Sequence, residues 1–226
     1  MLQSLVFTLL FSLSLTSFAA VDEKQFTISS VEVTEIGPIE SGFISDHSNK
    51  NVIAGIGEVI GVVDALIALG KKVYPIVEAG KPVLSTDLPV THVLPKLTNE
   101  MSDYDLTLGL MENWKLPKSR SYKVVYKNLY GFEVISFTYT IYFQYGGSYE
   151  GAGKYLTGVH VSATDLYVSW GFDFSANTEV LSIANLGTLS NPVASLSLRL
   201  NWVVKTVLVE NRSSRIYHLT GDGQLK

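Results

Sequence analysis

Four histidines, His47, His92, His160 and His218, are the side chains best suited to hold a metal or move a proton, and their spacing limits what they can do. Two imidazoles that share a metal from one helix stand four residues apart, and no pair here does. The chain has no cysteine, so the thiolates of structural zinc sites are missing. His160 sits between Val159 and Val161, where strand alternation places it on the solvated face.

Nucleophilic chemistry finds no better support. No serine lies in a Gly-x-Ser-x-Gly elbow, and the acidic residues are dispersed along the chain. Gly55-Ile56-Gly57 with Gly61 echoes a dinucleotide-binding turn, without its spacing or a βαβ setting. Gly153-Lys154 is followed by Tyr155, where a phosphate loop requires Ser or Thr. Asp173 and Asp222 lack the spacing of a calcium loop, and Asn211-Arg212-Ser213 is a glycosylation sequon only in a host that uses it. The sequence therefore implies no catalytic residue, no metal site and no cofactor, and the protein is expected not to be an enzyme. What remains is recognition. Tyr145, Tyr149, Glu150 and Tyr155 surround the glycine-rich stretch Gly146–Gly153, where aromatic rings could stack on a glycan or a protein, and Asn185–Asn191 forms a second candidate loop.

Charge narrows the partners. The net charge is −4 and no basic run exceeds Lys71-Lys72, so a nucleic-acid partner is not expected. The first twenty residues carry an uncharged apolar stretch, Leu5 to Leu15, followed by Ser17-Phe18-Ala19, which reads as a secretory signal peptide spanning 1–19. The protein is thus expected in the periplasm or outside the cell. A cysteine-free exported chain fits a bacterial envelope better than a disulfide-forming secretory route.

The elements that would position these residues follow from periodicity. Phe26, Ile28, Val31 and Val33 alternate with polar neighbours over 24–36, with a register break at Ser29-Ser30. Over 51–74, Val52, Ile56, Val59, Val63, Leu66 and Ile67 fall on one helical face and Glu58, Asp64 and Lys71 on another, which predicts an amphipathic helix. Packed on a sheet, that helix is structural. At about 1.5 Å per residue it is also long enough to reach across a bilayer core, although Glu58 and Asp64 oppose insertion. A sandwich with a detachable helix resembles the architecture of actinoporin-like proteins, and the resemblance implies a membrane-active, pore-forming alternative.

Residues 81–120 hold four of the seven prolines and read as irregular, with Leu106, Leu108 and Leu110 as one short strand. From Ser121 the pattern is β throughout. Ile135, Phe137, Tyr139, Ile141 and Phe143 share one face, and Leu196, Leu198, Leu200, Trp202 and Val204 another, each opposite Ser, Thr, Gln, Arg or Asn. Between them, Val168, Trp170, Phe172 and Phe174 form a further alternating run. The expected fold is mainly β, an antiparallel β-sandwich in the C-terminal half (121–226) joined as one domain with 20–80, which carries one amphipathic N-terminal helix. The expected function is a non-enzymatic binding or structural role at the cell exterior, with a glycan, protein or membrane surface as partner.

Overall fold

The computed structural model describes residues 22–37, 58–83, 90–97 and 107–226. In chain order the elements are α1 (Glu23–Phe26), β1 (Ile28–Gly37), β2 (Glu58–Val63), β3 (Leu66–Gly70), β4 (Val73–Glu78), β5 (Lys81–Pro82), β6 (Thr91–Pro95), β7 (Lys118–Asn128), β8 (Glu133–Tyr149), β9 (Ala152–Val168), β10 (Phe172–Asn185), β11 (Ala194–Thr206) and β12 (Glu210–Thr220). They form two antiparallel sheets, β1-β7-β8-β9-β6-β3-β2 and β12-β11-β10-β4-β5.

Alternation drives the long strands. Along β11 the buried residues are Ala194, Leu196, Leu198, Leu200, Trp202 and Val204, and those between them are half-exposed. Along β8 the inward face is Ile135, Phe137, Tyr139, Ile141 and Phe143, as the periodicity predicts. These faces meet in one core between the sheets, where Phe137 of β8 lies 4.6 Å, ring to ring, from Phe174 of β10.

Polar ties cross this core. The Trp202 indole N–H donates to the Tyr126 hydroxyl, and the Tyr139 and Tyr217 hydroxyls share a bond. The Val161 amide donates to the Tyr74 hydroxyl at 3.1 Å. Each tie joins a residue of one sheet to a residue of the other, so the sheets are fixed in register as well as in contact. Burial pushes the Tyr139 phenol up to about 12 and raises that of Tyr74.

The N-terminal part differs from the sequence expectation. Residues 58–74 are strands, not an amphipathic helix; Val52 and Ile56 lie outside the described residues. Val59, Ile60, Val62 and Val63 are β-branched and suit a pleated sheet better than a helix. Asp64, at φ 48°, opens a two-residue turn that sets Val63 opposite Leu66. Leu66–Gly70 then runs between β2 and β6 and is buried on both faces. A strand buried on both sides shows no alternation, and such a run also matches the helical template. Leu66 and Ile67 are therefore core residues, whereas Val59 is exposed on the edge strand. The detachable helix behind the pore-forming alternative does not form over 58–74.

Three smaller differences bear on the surface. Leu108 and Leu110 lie in a helical turn over 107–110 rather than a strand, and Leu106 is outside the described residues. The opposite, Ser/Thr face of β8, which clean alternation would leave in water, is buried at Ser136, Thr138 and Thr140, with Ser121 bonded to Thr140 at 2.8 Å. The break at Ser29 is a bulge, since Ile28 pairs with Asn128 and Ser30 with Lys127.

Candidate functional site

Strand register sorts the turns between the long strands to two ends. The Gly146–Gly153 stretch is not a loop: β8 and β9 run through it to a two-residue turn at Glu150-Gly151, both with positive φ. The structure brings this hairpin to the Asn185–Asn191 region, where the Asn191 side chain accepts from the Gly153 amide at 2.8 Å. Lys154 and Gly146 are tied by backbone bonds to Pro192 and Gly221.

The tyrosines at this end are taken up by packing. Tyr155 is buried beside Gly153, and Tyr149 is half-buried against the core. The Tyr145 ring lies under Gly223, where a Cβ would fall 2.4 Å from it, and the Lys118 ammonium stands 4.6 Å from the ring centre. Glu150 alone of the four candidates is exposed. Among the described residues no three His, Cys, Asp or Glu side chains gather as metal ligands.

The opposite end carries a different surface, which no motif in the sequence marks. It is built from the 129–132 turn between β7 and β8, the 169–171 turn between β9 and β10, and the 207–209 turn between β11 and β12. A cleft of about 400 Å³ opens there, lined by Gln25, Asn128, Tyr130, Phe132, Tyr167 and Ser169 among others. That volume suits a small ligand or a few residues of a partner.

Each wall has a local cause. Asn128 ends β7 and its side-chain oxygen accepts from the amides of Tyr130 and Phe132, both at 3.0 Å. This curls the turn tightly and directs Leu129, Tyr130 and Phe132 outward. The Asn128 amide group donates to the Gln25 carbonyl, and the Leu129 N–H donates to carbonyls of Lys24 and Thr27, so α1 is clamped beneath the turn. Tyr130 adds a bond from its hydroxyl to Asp22 at 3.0 Å, and that carboxylate raises the phenol's pKa.

Tyr167 reaches the surface through a bulge. Thr138 pairs with Thr164 and Ser136 with Tyr167, so β9 carries an extra residue here, with Asp165 at φ 50°. The bulge switches which residues face the core, from Val159 and Val161 to Leu166 and Val168, and leaves Tyr167 outside. In the next turn Gly171 is required: its φ is 81° and a Cβ would fall 2.4 Å from the Phe26 ring. Phe26 packs inward at 6.1 Å from Trp170, which stands in solvent.

The third turn repeats the logic. Thr206 accepts at its hydroxyl from the amides of Leu208 and Val209, each at 3.1 Å, and holds Val207, Leu208 and Val209 in an exposed tip. Phe172 pairs with Thr206 across the sheet, which sets this tip beside the Trp170 turn.

Apolar residues inside turns are the signal that the sequence offers for this end. Leu129-Tyr130-Gly131-Phe132 and Val207-Leu208-Val209 place large apolar residues where turn chemistry favours polar ones. Trp170 is masked by the alternating run it shares with Phe172 and Phe174, which predicts an inward ring. No protein-family model, no curated protein and no solved structure matches this chain, so its family is not assigned.

Proposed function

We propose that the protein is an exported, non-enzymatic binding module of the periplasm or cell exterior, and that the aromatic turn end is its contact surface. The carrying observation is the cleft with Tyr130, Phe132 and Tyr167 in its lining, together with exposed Trp170 and Val207 on the two further turns of the same end. Such a cluster is unusual on a soluble surface and marks a place where something docks. The scaffold is suited to present it, because two sheets pinned by tyrosine and tryptophan ties hold the turns without needing to move. Export is supported by the apolar leader over residues 1–19, and the absence of catalytic spacing in the sequence supports binding over catalysis.

Two chains would test this reading. One carries Phe132→Ser with Trp170→Ser; the other carries Leu186→Ser with Leu189→Ser, exposed residues at the opposite end. Both are compared with the unsubstituted chain for retention on cells that produce the protein. Loss of retention in the first alone is expected. Equal retention of both would overturn the assignment of the contact surface.

A further inference from the structure

Resting on that assignment, we infer that the partner is a lipid bilayer, met by the tips of the 129–132, 167–170 and 207–209 turns. Trp170 is 81 % exposed, Phe132 68 % and Val207 67 %, and the adjoining Tyr130 and Tyr167 are half in solvent. Tryptophan and tyrosine are the residues that settle at the level of lipid headgroups, and the aliphatic tip beside them suits the acyl boundary.

Most backbone amides of these tips already have partners within the chain; those of Trp170, Gly171 and Val207 have none among the described residues and stay at headgroup level, where water reaches them. A turn entering lipid is favoured when few of its amides are free, because water does not follow into the hydrocarbon to satisfy them. The amides of Tyr130 and Phe132 are bonded to the Asn128 side chain and that of Gly131 to the Asn128 carbonyl. Those of Leu208 and Val209 are bonded to the Thr206 hydroxyl, and that of Phe172 to the Ser169 carbonyl.

Charge at this end favours a neutral surface over an anionic one, since Glu133 lines the cleft and Asp22 stands at the Tyr130 hydroxyl. Lys127 is paired with Glu32 at 3.1 Å, and Lys205 and Arg212 both with Glu210, at 3.0 and 2.5 Å. Little cationic charge is left for anionic headgroups, so attraction must come from burial of the tips.

The test uses the chain from Val21 onward, which contains every described element, sedimented with phosphatidylcholine vesicles. Association is expected, unchanged by added salt or by phosphatidylglycerol in the vesicles. Trp170→Ser, Phe132→Ser and Val207→Ser are each expected to weaken it about tenfold, the scale of one apolar side chain's burial, and Leu189→Ser to leave it unchanged. Brominated phosphatidylcholine should quench the tryptophan emission of the unsubstituted chain, a readout that needs no substitution. Four results would each overturn the inference: no association, association only with anionic vesicles and lost in salt, association indifferent to the tip substitutions, or self-association through the tips in place of vesicle binding. Vesicle binding absent while cells still retain the chain through the aromatic end would remove the lipid partner and leave the binding module standing. Loss of both would remove the two together.

Discussion

Phe26 and Trp170 lie 6.1 Å apart, ring to ring, and only one of them is in the core: Phe26 is 6 % exposed and Trp170 faces solvent. Their substitutions should therefore separate stability from binding. Phe26→Ala empties a site beneath Gly171 and beside Phe172, and should cost about 3 kcal/mol of unfolding free energy in urea titration. Trp170→Ser should change stability by less than about 0.5 kcal/mol and act on retention and vesicle binding alone.

Asn128 is the anchor of the 129–132 turn. It is buried, and its side chain makes three bonds, two accepted from Tyr130 and Phe132 and one donated to Gln25. Asn128→Leu should remove all three and cost roughly 2–4 kcal/mol, on the order of 1 kcal/mol per bond plus the amides left unpaired. Amide hydrogen exchange should rise at Tyr130, Gly131 and Phe132 ahead of the β8 core. Unchanged exchange there would show that the side chain does not hold the turn.

His92 couples the fold to pH. It is fully buried in β6, its Nδ1 shares a 2.7 Å bond with Thr157, and its Nε2 has no partner among the described residues. Burial holds its pKa down at about 4, against an ordinary value of 6.5. The folded form thus resists a proton that the unfolded chain accepts. Its contribution is full above pH 6.5 and is lost as pH falls toward 4, by roughly 3 kcal/mol, with no further loss from this group below that. Denaturant titrations of the parent and of His92→Gln across this range should differ in slope; parallel curves would contradict it.

Tyr126 and Trp202 test the pinning of the sheets. Tyr126→Phe keeps the ring but leaves the buried Trp202 N–H without its acceptor, at an expected cost of about 1–3 kcal/mol. The near-ultraviolet circular dichroism of Trp202 should weaken with it. A neutral result in both would mean the tie contributes nothing net.

The readable part of this molecule is the part whose burial alternates. The inward faces of β8 and β11 follow directly from periods of two, and so does the register break at Ser29-Ser30, which the pairing of β1 with β7 resolves as a bulge. The run Leu66–Gly70 misleads for the opposite reason: buried on both faces, it carries no period to separate strand from helix. The tyrosines around Gly146–Gly153 look available because glycine suggests an open loop, whereas Gly147 and Gly153 admit rings to close contact. Gly147, for example, has Trp114 where a Cβ would stand, at 2.5 Å. The aromatic end is hidden because its three turns are far apart in sequence and only strand register joins them.

The absence of native cysteine allows the central claim to be tested by single labels. Val207→Cys places an environment-sensitive dye on the aromatic end, and Leu189→Cys places one on the other. On contact with cells that produce the protein, the dye at 207 should shift to the blue and the dye at 189 should not. A shift at 189 with none at 207 would contradict the assignment of the contact surface.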